Sequence, residues 1–162
     1  MRNGNASVRR QDRLLGEQKA MELLRSAEYG VLSMQAEGGG GYGVPVHFVW
    51  DGASSLFIHC APEGRKWRCL AECAWASFCI VGSTHVHPRR FSTEYESVLL
   101  QGTACTELDA DERMSALVLL AEKYLPGDPE ACRKYAEALF ERTRVIRLDI
   151  EVWTGKQCSL RP

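Results

Sequence analysis

This sequence predicts a mainly β fold: six antiparallel strands forming a small barrel, with helices at its periphery. Three observations carry the prediction. Apolar and polar residues alternate at period two in short runs between turn signals, as in residues 42–50, where Tyr42, Val44, Val46, Phe48 and Trp50 share one face. The few stretches at helical spacing do not alternate one for one with the strands, which argues against a doubly wound parallel sheet. Several strands are apolar on more than one face, and a barrel disposes of the edges such strands would otherwise expose.

Residues 1–12 are polar and basic and read as a flexible tail ahead of a single domain over 13–162. Ala20, Leu23, Leu24 and Ala27 recur at helical spacing across 15–27, with Gly30 as the stop. A short strand over 31–35 enters the turn 36–41. Its run of glycines could cradle a nucleotide, but a strand follows rather than a helix, so it reads as a hairpin connection. In the strand 42–50, Pro45 cannot donate a ladder hydrogen bond; it marks an edge, a bulge, or a place where something other than a strand meets the backbone. Asp51-Gly52 then turns the chain into a strand over 55–60.

Pro62 and Gly64 end that strand, and a helix starts at Arg65. Residues 74–81 are almost continuously apolar, a strand buried on both faces, while 82–90 reads as a loop or irregular strand. A long strand covers 94–107, with Gly102 as a bend or bulge. Asp109 with Glu112 three residues on resembles a capping box. The helix it opens carries a stripe of Met114, Leu117, Val118, Ala121 and Tyr124. Pro126-Gly127 ends it, and Asp128-Pro129 opens another, with Cys132, Tyr135, Ala136, Leu139 and Phe140 on one face. The last strand, 145–153, turns Ile146, Leu148, Ile150 and Val152 inward. Val98, Leu100 and the 114–124 stripe are expected to present apolar faces that a symmetric dimer would bury.

A chain of 162 residues implies one domain with one core. At 45% hydrophobic and 25% charged, it has the composition of a soluble globular protein. Its net charge of −1 leaves no global field to attract nucleic acid or an anionic membrane, and no apolar run is long enough to span a bilayer. The basic start is not followed by an apolar segment, so no secretory signal is read and the cytoplasm is the expected compartment. The seven cysteines are then read as thiols, Cys60, Cys79 and Cys105 as small buried hydrophobes. Trp50, Trp67, Trp75 and Trp153 read as core. His85 and His87 would share a strand face, but no third ligand is evident nearby, and no metal is expected.

Chemistry concentrates in residues 57–66, a strand, a turn and a helix start. Free backbone N–H groups at that start, with Arg65 and Lys66, suit a phosphate, although the Gly-Lys-Ser/Thr of a nucleotide-hydrolase loop is absent. The plain alternative is two solvated cations. His59 is either a half-buried, hydrogen-bonded histidine or a ligand contact at the barrel mouth. Trp153-Thr154-Gly155-Lys156 follows the last strand, where a ring and a cation could meet a ligand. No nucleophile–base pair is visible, so no catalytic residue is assigned.

Four segments occur in one order: Tyr42-x-Val44-Pro45-Val46, Ile58-His59-x-Ala61-x-x-Gly64-x-Lys66, Tyr95-x-Ser97-Val98-x-x-x-Gly102 and Thr154-Gly155-Lys156. Together they resemble the nitroimidazole-resistance branch of the pyridoxamine 5′-phosphate oxidase-like flavoproteins, over about residues 8–157. The resemblance implies a six-stranded split β-barrel that binds FMN, with two sites at the interface of a homodimer. By position, His59, Arg65 and Lys66 would lie at the FMN phosphate, and Val44, Pro45, Val46 and His47 beside the isoalloxazine ring. Ser97 and Trp153 would be supplied across the dimer interface. The implied activity is reduction of a small oxidised acceptor such as a nitroaromatic 5-nitroimidazole. One alternative is a flavin- or haem-binding module without fast turnover, with His47, His59, His85 or His87 as an axial ligand. The other is a pyridoxamine-phosphate-oxidase-like oxidase, whose substrate-phosphate residues have no evident counterparts here.

Overall fold

The structure, a computed structural model, describes residues 1–160; residues 161–162, the end of the expected domain, lie outside the described residues. Its strands are β1 (Arg2–Asn3), β2 (Tyr29–Gln35), β3 (Gly41–His47), β4 (Val49–Trp50), β5 (Ser55–Cys60), β6 (Trp75–His87), β7 (Ser92–Cys105) and β8 (Arg144–Cys158). The α-helices are α1 (Glu17–Ser26), α2 (Arg65–Glu72), α3 (Ala110–Tyr124) and α4 (Pro129–Leu139). One sheet of eight strands runs β3-β2-β6-β7-β8-β5-β4, with β1 alongside β8. All pairings are antiparallel except β1 with β8. The mainly β, antiparallel split-barrel class is therefore as the sequence predicts. The count differs: two strands of two residues each, β1 and β4, join six longer ones, and the sheet does not close.

One core holds the curled sheet together. Leu32 and Met34 of β2, Leu56 and Ile58 of β5, Phe78 and Ile80 of β6 and Leu148 of β8 pack in a single cluster, with Val44 and Val46 against it. A second, smaller cluster lies on the outer face, where Ala116 and Leu117 of α3 and Ala136 of α4 cover Phe57 and Val145. The caps are those read from sequence: Asp109 accepts from Glu112 N–H at 2.8 Å, and Asp128 from Ala131 N–H at 3.0 Å. Gly102 sits at a register shift in β7, where an added Cβ would lie 1.9 Å from the Asp149 carbonyl oxygen.

Several expectations are corrected. Val98 and Leu100 are fully buried, because alternation along β7 turns them into the barrel core rather than toward a partner. Trp75 is exposed: it opposes Thr103 on the outward face, while its neighbour Ala76 points in. Cys60, Cys79 and Cys105 are only partly buried; the buried thiols are Cys69, Cys132 and Cys158, and all seven cysteines are free. Strand β6 runs on through the expected loop to His87, past an irregularity between Val81 and Thr84. Strand β8 runs to Cys158.

The N-terminal residues touch the end of β8. Gly4 N–H donates to Trp153 O at 2.8 Å, and Asn5 Oδ1 accepts from Gly155 N–H at 2.9 Å. Among the described residues no helix is long and apolar enough to cross a membrane.

Candidate functional site

The site begins where β3 stops. Strand β3 is an edge, paired to β2 alone, so Pro45 opposite Val31 leaves no second ladder short of a donor. Its alternation puts Tyr42, Val44 and Val46 toward the core and leaves Gly41, Gly43, Pro45 and His47 exposed. At Phe48 the strand breaks, and α3 takes over its backbone groups. Phe48 N–H donates to Tyr124 Oη at 3.1 Å, and Phe48 O accepts from Lys123 Nζ at 2.9 Å. The Tyr124 hydroxyl proton goes to Glu28 O at 2.6 Å, with Phe48 O also within reach at 3.0 Å. Burial lowers Lys123 to about 8, where its ammonium lies 3.7 Å from the centre of the Phe48 ring. This clamp brings the His47 ring to 5.0 Å from that of Tyr124.

The second part is the end of β5. Leu56, Ile58 and Cys60 face the core, so Phe57 and His59 face out, His59 opposite Val145 of β8. The chain then turns at Gly64, whose φ of +134° suits glycine alone, and α2 begins with no side-chain cap and no acid in its first turn. Arg65 places its guanidinium 4.2 Å from the centre of the Tyr42 ring, tying α2 to β3. His59 is held below its ordinary value by burial first, then by His47 and by Lys66, so both of these lie within electrostatic reach of it. Such a set of potential cations beside uncapped N–H groups favours an anion.

Between α3, α4 and the outer face of the sheet lies a cavity of about 590 Å³. Leu117, Leu120 and Ala121 of α3 and Cys132, Tyr135 and Ala136 of α4 form its walls, and His47 and His59 its sheet side. Burial pushes the Cys132 thiol up, and it donates to Leu125 O at 3.5 Å, so it is no thiolate nucleophile. The arrangement can hold a ligand with a flat apolar body and an anionic end. Among the described residues no three potential metal ligands gather anywhere.

Of the residues expected at a cofactor, the structure brings His47, His59 and Lys66 into one electrostatic cluster, with Arg65 bridging to the strand that carries Val44, Pro45 and Val46. Ser97 and Trp153 lie elsewhere in the chain's own fold. Ser97 opposes Val81 and Lys156, and Lys156 stands eleven residues along β8 from Val145, the partner of His59. Trp153 is 2% exposed, inside the core. His85 and His87 sit on the β6–β7 hairpin with ring centroids 4.5 Å apart, and His87 Nε2 is 2.9 Å from Glu94 Oε2. The cavity walls were visible in the sequence only as two apolar stripes, and the clamp of Lys123 and Tyr124 was not visible at all. The one local hint was Tyr124, a hydroxyl at the end of an otherwise apolar stripe.

A sequence profile of the pyridoxamine 5′-phosphate oxidase family matches residues 16–157. No curated protein matches the chain. Among solved structures, a conserved hypothetical protein from Mycobacterium tuberculosis is 14% identical with a TM-score of 0.79, covering 96% of this chain and 98% of its own. A FAD and haem binding protein from Mycobacterium smegmatis is 22% identical with a TM-score of 0.75, covering 91% and 73%. A protein from Bacteroides thetaiotaomicron, provisionally assigned to 5-nitroimidazole antibiotic resistance, is 19% identical with a TM-score of 0.71, covering 90% and 86%.

Proposed function

The chain belongs to the pyridoxamine 5′-phosphate oxidase family, and from that premise we propose that it binds FMN and reduces small oxidised acceptors, nitroaromatics such as 5-nitroimidazoles among them. The observation that carries this reading is the cluster of His47, His59 and Lys66 at the uncapped start of α2, beside an apolar-walled cavity. The donor set fits the group: cations and free N–H groups for a phosphate, an exposed strand edge for a ring, and no acid in the first turn of α2 to oppose the charge. The likeness in fold to the Bacteroides thetaiotaomicron protein supports the choice of acceptor.

When bound, the flavin supplies the hydride or electrons. The chain's own residues bind and orient. Lys66 and His59 offset the phosphate charge, and the first-turn N–H groups of α2 donate to its oxygens. The edge of β3 at Val44, Pro45 and Val46 offers backbone groups to the ring, and the apolar walls from α3 and α4 exclude water from the acceptor's side. A homodimer would bring Ser97 and the Trp153 region of one protomer toward the other's site.

The spectrum and mass of whatever is released on denaturation test the cofactor. A flavin spectrum with the mass of FMN is expected; neither would sink the reading. Chemically reduced protein should then recover its colour when a nitroaromatic is added without oxygen, faster than free FMN does. Light scattering should give a dimer at micromolar concentration.

A second reading rests on His47 and His59 lining the same cavity and on the fold shared with the FAD and haem binding protein. It is a cofactor-binding module without fast turnover, with one of these imidazoles as an axial ligand. A Soret band in place of the flavin bands would favour it.

A further inference from the structure

A second pocket, of about 260 Å³, opens where the chain leaves β7 for α3. Trp67 of α2, Thr106 and Glu107 of the connection, Arg113 of the first turn of α3 and Arg144 at the start of β8 line it. Two of its groups are anomalous. Arg113 Nε and Arg144 Nη1 are buried nitrogens with no hydrogen-bond partner. Among the described residues neither guanidinium forms an ion pair, and the exposed Glu107 at the rim reaches neither of them.

Both side chains are partly buried, but buried donors without acceptors are rare. Here two converge on one pocket. Arg113 is also fixed in place, its guanidinium 3.7 Å from the centre of the Phe140 ring. A face stacked on a ring leaves the in-plane N–H edge free, and that edge matches two oxygens of an oxyanion.

The pocket borders the flavin-side cluster but is lined by a different set of cations, Arg113 and Arg144. Val145, the partner of His59 on β8, also lines it, and Arg144 opposes Cys60, whose thiol both Lys66 and Arg144 influence, so the two sites are neighbours. We propose that this pocket is a binding site for a phosphate group, free or as a small phosphate ester, held by Arg113 and Arg144 with Trp67 as its wall.

The test uses the purified protein with its natural cofactor content, in phosphate- and sulfate-free buffer. Inorganic phosphate should bind saturably by calorimetry and raise the melting temperature. Arg113→Gln and Arg144→Gln should each weaken that binding about tenfold or more, from the strength of a charge-assisted hydrogen bond. Without phosphate Arg144→Gln should melt no lower than the parent, since it removes an unpaired donor, whereas a merely structural arginine would give the opposite; Arg113→Gln also loses its contact with the Phe140 ring and is read by phosphate binding alone.

Phosphate broadening of the ³¹P resonance by the parent protein keeps the test open should a variant fail to fold. No saturable binding overturns the proposal, as does binding that both variants retain. Phosphate binding abolished by Lys66→Ala, or displaced by FMN, would also overturn it by assigning the anion to the flavin site.

Discussion

Replacing Lys66 by alanine separates phosphate recognition from support of the fold. Lys66 sits at the first turn of α2, close enough to His59 and Cys60 to influence both side chains. A charge-assisted hydrogen bond to a phosphate contributes about 1.5–3 kcal/mol. The site opens to solvent at His59, so the lower end applies, and Lys66→Ala should weaken FMN by roughly ten- to thirtyfold at about 1.4 kcal/mol per factor of ten. Riboflavin, which lacks the phosphate, should be unaffected. Arg65 is the contrast. Its guanidinium lies against Tyr42, an exposed cation–π contact worth about 0.5–1 kcal/mol. Losing it loosens β3 from α2, so Arg65→Ala should weaken FMN and riboflavin together. Fluorescence titration of apo-protein with both ligands at fixed ionic strength reads these differences. Equal losses of FMN and riboflavin on Lys66→Ala would refute the phosphate assignment, and no loss of either would place the ligand elsewhere.

Other expectations follow from the same geometry. In the ligand-free protein His59 is held below its ordinary value, chiefly by burial, so the unfolded chain takes its proton first; its contribution to stability should be lost as pH falls below about 6.5. A phosphate reverses that preference, so FMN but not riboflavin should bind more tightly as pH falls from about 7.5 to about 5.5, and His59→Gln should reduce the slope, measured by the same titration. Lys123, lowered to about 8 against 10.5 unfolded, should make the protein gain stability between those pH values, a gain that Lys123→Met abolishes in denaturant melts. Tyr124→Phe leaves the buried Phe48 N–H without an acceptor, a cost of about 1–3 kcal/mol that a lowered melting temperature should report. Gly102→Ala puts a methyl 1.9 Å from a backbone oxygen that no rotamer change can clear, so circular dichroism should show a large loss of melting temperature or failure to fold.

What could be read in the sequence was what is written locally. Asp109 and Asp128 announce two helix starts because capping is a matter of a few neighbouring residues. The strand 55–60 and the turn into Arg65 were legible because alternation, proline and glycine punctuate them. The failures are non-local. Val98 and Leu100 look the same in sequence whether they face a core or a partner, since the period of two defines a face without saying what covers it. The continuation of β6 to His87 is specified by pairing with β7, not by its own polar residues. At the site, the cations at 65–66 and the histidine at 59 were visible, but their proximity to His47 depends on strands brought together through the sheet.

That proximity has a physical cause in the break at Phe48. A continuous strand from 41 to 50 would satisfy its own backbone groups and need nothing from α3. The break instead frees an N–H and a carbonyl at a fully buried residue, and buried backbone groups must be paired. Tyr124 and Lys123, successive residues at the end of α3, supply the partners. The helix is therefore fixed against the sheet at a polar hinge rather than by apolar packing along its whole length. Beyond the hinge, small residues such as Ala121 and Ala131 leave the space between α3, α4 and the sheet unfilled. A core of larger side chains there would gain burial and lose the cavity. The same clamp that holds His47 beside Tyr124 thus borders the cavity, and the two features on which the proposed ligand recognition depends share one set of hydrogen bonds.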